Sequence, residues 1–498
     1  MNYMGIDIGT SGCKAVVFNK NGKQLAASYR EYDVIFTDNG SAELNSDEVI
    51  KKCFAVISEA AAQVEPNTIK GIGISSQGEA FTAIGRDKQV LCNAMISSDI
   101  RSDYYAKTWP ESFGKEKLYH ITGHTAHPMF TLFKLLWLKH NRPEIWKKTE
   151  KFLCFEDLLE SRLGLDPAMG WPLAGRTMLF DVQNHVWSKE ILNSIGLPPE
   201  KLARPLPSGS IAGTIPQEIA QKLGLAPGAF VVTGGHDHPC GALGAGVTEP
   251  GTAMYATGTV ECITPVFSKP VFTKELYENN ICTYDYTVKD MYTTVAFSLT
   301  GGNILKWFRD EFGSQEISEA EKKGINAYEV LLKSASNQPS NLMVLPYFTP
   351  SGTPYFDTTT KGAILGLNLS TKRGDIIRAL LEGVAFEMRL NLDILQQSNC
   401  EIQELRAIGG GAKSEFWTQL KADVLGKVII TMNAPEAGCL GVALLACSAD
   451  TGQGIHELVK EWVKPLRKYI PQSGPIEFYN KRFETYRKLY PTIKAINL

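Results

Sequence analysis

The chain has 498 residues, 44% of them hydrophobic and 21% charged, with 51 Lys and Arg against 53 Asp and Glu for a formal net charge of −2. That length calls for two or three domains, because single hydrophobic cores stop growing well before it. The charge balance leaves no electrostatic footprint for nucleic acid or an anionic membrane. The opening Met1-Asn2-Tyr3-Met4-Gly5 has no basic n-region, so no signal peptide is expected, and the most apolar run, residues 440–447, is too short to cross a bilayer. Ten cysteines without a C-x-x-C pair, several among apolar neighbours as Cys439 and Cys447 are, suit buried thiols and a cytoplasmic location.

Strand-like and helix-like patterns alternate, so the fold class is α/β. Residues 4–8 and 14–18 read as two short strands joined by the turn Gly9-Thr10-Ser11-Gly12, and residues 24–32 as a third strand after Asn21-Gly22. Residues 47–63 have helical spacing, 69–75 read as a strand, and residues 134–140 continue a helix that stops before Pro143. After Glu249-Pro250-Gly251 the opening pattern recurs: strand 252–256, the turn Thr257-Gly258-Thr259, strand 260–264. This echo hints at two related halves. Residues 376–395 predict a long amphipathic helix, and residues 479–490 a C-terminal one.

Three motifs carry chemistry. In Asp7-Ile8-Gly9-Thr10-Ser11-Gly12-Cys13-Lys14, glycine lets backbone approach a phosphate, Thr10 and Ser11 can donate to its oxygens and Lys14 supplies charge. Asp7, at a strand end, is placed to hold Mg2+ through water. The spacing is not that of a Walker loop. In Gly234-Gly235-His236-Asp237-His238-Pro239-Cys240, a carboxylate follows the apolar strand 230–233 among glycines, where a ligand can reach it. His236, Asp237, His238 and Cys240 also admit a metal reading, which the opposite facing of adjacent residues on extended chain disfavours. His120, His124 and His127 are interrupted by Gly123 and Pro128 and read as loop or packing histidines. In Gly409-Gly410-Gly411-Ala412-Lys413-Ser414, glycines at a strand-to-helix turn suit close approach of a nucleotide.

Together these motifs resemble the FGGY family of carbohydrate kinases over the whole chain, nearest in overall pattern to the xylulose (ketopentose) kinases. Asp7 to Ser11 is similar to the family's first phosphate loop, Gly258-Thr259 to its second, and residues 301–307, with Gly302 and Lys306, to the segment lining the nucleotide site. Residues 129–141, with Lys134 and Trp137, resemble the N-terminal signature; residues 362–367 with 375–382 resemble the C-terminal one. Residues 409–414 resemble the adenosine loop and residues 436–441 the closing helix.

The resemblance implies two actin-like, ribonuclease-H-type domains around a cleft. Residues 1–247 would carry the sugar-binding loops and the base, and residues 248–498 most of the adenine nucleotide site. It implies ATP and Mg2+, with Gly9, Thr10, Ser11, Lys14, Gly258, Thr259, Gly302, Lys306, Gly410, Gly411 and Glu415 toward ATP. It also implies Asp237, which matches the Gly-Gly-x-Asp aspartate, as general base. On the acceptor side the implied residues are Gln77, Gly78, Glu79, Asp99, Arg101 and His238. Xylulose kinases carry Met-His where Gly78-Glu79 stands, and glycerol kinases Arg-Glu; here Glu79 could accept from two neighbouring hydroxyls while Gly78 leaves room for a larger acceptor. Ser97 replaces the aromatic of the family's W-x-D-x-R loop, Asp99 and Arg101 can equally pair with each other, and Trp171 and His127 are candidates for the missing wall. The expected substrate is a small ketose or polyol, xylulose the leading name. Expected partners include neither nucleic acid nor membrane, with a homodimer among the compatible states. The competing readings are an actin-like ATPase or sugar sensor without productive transfer, and a metal-dependent hydrolase.

Overall fold

In the computed structural model, which describes residues 1–37 and 40–496, the strand pattern of the opening residues becomes the middle of a sheet. Strands β1 (Asn2–Ile8), β2 (Gly12–Asn19), β3 (Gln24–Glu31), β4 (Ile69–Ser76), β5 (Ile211–Thr214) and β6 (Phe230–His236) lie in the order β5-β6-β4-β1-β2-β3. The first three form an antiparallel meander, β4 and β6 continue parallel to β1, and β5 closes the edge antiparallel. The second half repeats this plan. β7 (Thr252–Thr257), β8 (Glu261–Phe267), β9 (Ala296–Ser298), β10 (Glu404–Ile408), β11 (Val428–Met432) and β12 (Pro465–Tyr469) run in the order β9-β8-β7-β10-β11-β12, with the same antiparallel and parallel pairings. The echo read between residues 4–18 and 252–264 is therefore topological: two actin-like, ribonuclease-H-type halves.

The helices that position the site are α1 (Ser46–Ala61), α2 (Thr131–Asn141), α3 (Phe155–Arg162), α4 (Trp171–Arg176), α5 (Asp237–Gly244), α6 (Gly302–Phe312), α7 (Arg373–Gln397), α8 (Glu415–Leu425) and α9 (Ala437–Thr451). Helix α1 starts where Asn45 accepts the Glu48 N–H, with Asp47 and Glu48 complementing the helix dipole. Its buried stripe covers one face of the first sheet, and α9 covers the other. A strand covered on both faces needs no polar alternation, which is why β1 is apolar almost throughout.

Helix α9 has almost no polar face because it is enclosed by the first sheet and by α5. The α5–α9 crossing brings backbones into contact. A Cβ on Gly441 would stand 2.0 Å from Cys240 O, and one on Gly244 1.9 Å from Ala437 O. Around this crossing lies a core shared by both halves, with Tyr3, Phe18 and Leu243 from one and Met254, Val442 and Trp462 from the other. Covalent order and packing also part company at Cys282 and Tyr284, which follow β8 in the chain but pack in the core of the first half. The helix expected over residues 479–490 is two helices, Ser473–Tyr486 and Leu489–Ile496. Tyr486 of the first donates to Glu387, and Tyr490 of the second donates to Asp357.

Candidate active site

The site residues gather at the carboxyl ends of the parallel strands β1, β4, β6, β7 and β10, where the chain leaves each sheet and backbone groups are open to a ligand. After β1, Gly9 N–H donates to Gly12 O (2.9 Å), while Tyr32 Oη (2.6 Å) and Gln77 Nε2 (2.9 Å) both donate to Gly9 O. Thr10 Oγ1 donates to Gln77 Oε1 (3.3 Å), so Gln77 braces the Gly9–Gly12 loop with both ends of its amide. Thr10 and Ser11 remain exposed at the tip.

After β7, the Gly258-Thr259 turn is held from α6. Gly302 N–H donates to Gly258 O (2.8 Å) and Gly301 N–H to Thr259 O (3.1 Å). A Cβ on Gly302 would lie 2.7 Å from Gly258 O, so this approach requires glycine. After β10, Gly409 takes φ +92°, and Gly410 faces open space beside Gly411 and Thr257. The charged residues expected around the nucleotide have protein partners. Lys14 Nζ pairs with Glu436 (2.5 Å) at the start of α9, exposed Lys306 pairs with Asp310 (2.7 Å), and exposed Glu415 pairs with Arg467 of β12.

Asp7, on β1, and Asp237, just beyond β6, are carboxylates near enough to influence one another. Ser75 Oγ donates to Asp7 Oδ1 (2.7 Å), and the carboxylate lies against Gly438 in the first turn of α9. Burial, then the charge of Asp237, push Asp7 up to about 6, against the pull of Ser75 and Lys14. Asp237 is the first residue of α5, one step beyond β6, and its side chain is 37% exposed. Burial, then the charge of Glu79, push it up to about 7, against the His238 N–H (2.7 Å to Oδ1) and Arg176.

The switch from strand to helix at Asp237 also turns His236, Asp237 and His238 toward one point, their ligand atoms within 4.8 Å of one another. The opposite facing expected of an extended chain does not apply there. His236 is already bonded through Nδ1 to Tyr284 Oη (2.9 Å) and lies 3.1 Å from Asp237 Oδ1 through Nε2. Cys240 is wholly buried.

The acceptor side differs most from the sequence reading. Glu79 is neither solvated nor unpaired: its side chain is 4% exposed, it takes φ +64°, and Arg176 Nε donates to its Oε1 at 2.5 Å. Holding a non-glycine residue at positive φ costs on the order of 1 kcal/mol. Thr131 Oγ1 (2.8 Å) and Lys134 Nζ (3.4 Å), from the first turns of α2, donate to Glu79 O and fix it there. Burial lowers Lys134 to about 8.

Gly78 does not leave room for an acceptor. A Cβ there would meet His236 Cδ2 at 2.9 Å and Nε2 at 3.1 Å, so the imidazole already fills that space. Asp99 is wholly buried and engaged with Ala42 N–H (3.0 Å) and with Arg101 (2.7 Å from Nη2), and Arg101 also pairs with Glu43 and lies over Trp137. The pairing alternative is the one realised. Trp171 stacks on His185 and His127 packs on Phe356. His124, His127 and His238 are lowered to about 3, 4 and 4, in each case by burial first, so all are neutral at pH 7.

Sequence reading missed Arg176, Tyr284 and Glu156. Glu156 of α3 accepts Gly234 N–H on Oε1 (2.7 Å) and Gly170 N–H on Oε2 (3.1 Å), clamping β6 three residues before Asp237. Burial pushes it up to about 8. Only the neighbourhood of Gly234-Gly235, whose N–H groups must go somewhere, could have pointed to a buried acceptor.

Comparison with known proteins agrees with this geometry. Models of the FGGY family of carbohydrate kinases match residues 2–244 (N-terminal domain) and 253–449 (C-terminal domain). The chain is similar to xylulose kinase of Bacillus subtilis (strain 168), 27% identical over 100% of this chain and 98% of that one. It is as similar to gluconokinase of the same organism, 27% identical over 99% and 96%. Among solved structures, ligand-bound xylulose kinase from Lactobacillus acidophilus has the same fold, with TM-score 0.91 at 23% identity over 99% of this chain and 98% of that one. With both family models matched in order around one cleft, the chain belongs to the FGGY family of carbohydrate kinases, enzymes that phosphorylate sugars with ATP.

Proposed function

We propose that this kinase phosphorylates a hydroxyl of a small neutral ketose or polyol, a ketopentose such as xylulose first among them, with Asp237 as general base. The observation that carries the reading is a carboxylate at the carboxyl end of β6, moved up to about 7 and near enough to Asp7 of β1 for its charge to raise that residue too. A base works best with a pKa near the operating pH. As the acceptor oxygen bonds to the γ-phosphorus and the bond to the ADP oxygen breaks, the hydroxyl proton passes to Asp237. Phosphoryl transfer has a loose transition state, so Asp237 mainly orients the hydroxyl, and the larger share comes from alignment and from donors around the phosphates.

In this reading residues 1–247 supply the acceptor site and residues 248–498 most of the adenine site. Thr10 and Ser11, at the exposed tip of the loop that Gly9 shapes, face the transferred phosphate, and Gly258-Thr259 and Gly410-Gly411 face the rest of the nucleotide. The donor set at Asp7 suits a hard divalent cation: one carboxylate, oriented by Ser75, at the end of β1 where a bound nucleotide would bring its phosphate oxygens. Asp7 would hold Mg2+ there through water, and the ion would supply charge neutralisation on the phosphates.

Charge supports a neutral acceptor. Arg176 is already matched by Glu79, the surrounding imidazoles are neutral, and Asp7, Glu79 and Asp237 leave the pocket acidic. An aldonate such as gluconate would set its carboxylate among these acids, with the Arg176 guanidinium already engaged by Glu79 and Lys134 turned onto the backbone carbonyls of Glu79 and Met95. An ADP-release screen across ketoses, polyols and aldonates, run beside Asp237→Asn, tests the proposal. A neutral acceptor is expected to exceed gluconate at least about tenfold in kcat/KM, and Asp237→Asn to lower kcat about 10²- to 10⁴-fold. Preference for gluconate refutes the neutral pocket. ADP release that needs no acceptor and survives Asp237→Asn points to the ATPase reading instead.

A further inference from the structure

We propose that Gly78, His236 and Tyr284 form a positioning device for Asp237, one that decides which of its two carboxylate oxygens meets the acceptor hydroxyl. The inference rests on Asp237 being the base. Asp237 Oδ1 accepts the His238 backbone N–H at 2.7 Å and lies 3.1 Å from His236 Nε2. The other ring nitrogen, Nδ1, is 2.9 Å from Tyr284 Oη. The His236 ring is buried, close to the Arg176 charge, and stays neutral, so only one ring nitrogen carries a proton. With Tyr284 on Nδ1, the neutral ring keeps its proton on Nε2, since the other tautomer would set a lone pair of Nε2 against a carboxylate oxygen. Oδ1 thus accepts the His238 N–H and has the Nε2 edge of the ring packed against it at 3.1 Å, and Oδ2 is left to receive the acceptor's proton.

Both neighbours of the imidazole are built for it. Tyr284 comes from beyond β8, and its segment docks through Thr283 N–H to Gly123 O (2.8 Å). A Cβ at Gly123 would stand 1.6 Å from Thr283 O, so the docking requires glycine, which there takes φ +71°. On the opposite side, Gly78 supplies the space in which the ring lies. A bulky residue at position 78 and a histidine at position 236 exclude each other, so this pair is a single substitution in chemical terms.

The test measures steady-state kinetics of His236→Leu, His236→Gln, Tyr284→Phe, Gly78→Ala and Asp237→Asn with the best acceptor from the screen. Gln can return an N–H near the Nε2 position, whereas Leu cannot. The expected result is a kcat about a hundredfold lower for His236→Leu with KM moved less than about threefold, because the loss lies in the transition state. His236→Gln is expected to recover most of that loss, and Tyr284→Phe and Gly78→Ala to fall between. Thermal melting of each variant separates misfolding from misplacement; if His236→Leu does not fold, the comparison of His236→Gln, Tyr284→Phe and Gly78→Ala with the parent decides. Unchanged kcat in folded His236→Leu or in both Tyr284→Phe and Gly78→Ala, while Asp237→Asn is inactive, overturns the positioning role alone. An active Asp237→Asn removes the base itself, and the device with it.

Discussion

Arg176→Met removes the cation that matches Glu79 while keeping the length and most of the volume of the side chain. Both partners are nearly out of solvent, at 9% and 4% exposure, so water cannot take over from the lost guanidinium. The same substitution removes the contact of Arg176 Nη1 with His124 Nε2 (3.2 Å) and the stacking of the guanidinium over Phe130. Leaving one member of a buried pair uncompensated costs about 3–5 kcal/mol. That is a large part of the total stability of an ordinary domain. For a unit the size of one half of this chain, each kcal/mol shifts the midpoint by about 2–4 °C, so the variant should melt on the order of 6–20 °C lower.

Calorimetry or circular dichroism of Arg176→Met, Glu79→Gln and the double variant checks this. The double variant should recover a large part of the loss, because it replaces a stranded charge by two neutral groups that still pack. A midpoint for Arg176→Met within about 2 °C of the parent would refute the reasoning. So would a double variant no better than the single one.

Two further outcomes follow from the same contacts. As the proposed base, Asp237 would act only when ionised, and its pKa is raised, so kcat/KM should climb with pH through about 7 rather than through the ordinary carboxylate range near 4. Arg176 pulls that pKa down, so in Arg176→Met the acid limb should move to higher pH; a pH–rate profile that is flat from 5 to 8 would contradict it. Gly441→Ala forces a methyl group onto Cys240 O, where a Cβ would stand at 2.0 Å, and should cost about 1–3 kcal/mol or more by prising α5 from α9. Because Asp237 opens α5, kcat should fall as well; a variant with parental melting and kcat would show that the crossing tolerates a side chain.

The elements legible in the sequence are those whose signal is local. The Gly9–Gly12 turn, the 252–264 echo, the helices near 46–61 and 373–397, and the carboxylate after a glycine pair all show in runs of a few residues, because backbone propensity and side-chain periodicity act over one or two turns. From these the family and the two-halved fold follow. Gly78 was legible as an unusual residue but not as to purpose, since a missing side chain does not reveal what fills its space.

What surrounds Asp237 was decided elsewhere. Arg176 reaches Glu79 across 97 positions, Glu156 reaches Gly234 across 78, and Tyr284 reaches His236 across 48. Arg176, Glu156 and Tyr284 stand in no motif. Sequence by itself determined that a kinase of this family would place a carboxylate at the end of β6. Only the tertiary structure decided which buried groups hold that carboxylate, because the partners of a buried charge are selected by desolvation, and burial is a property of the folded topology rather than of any local stretch of chain.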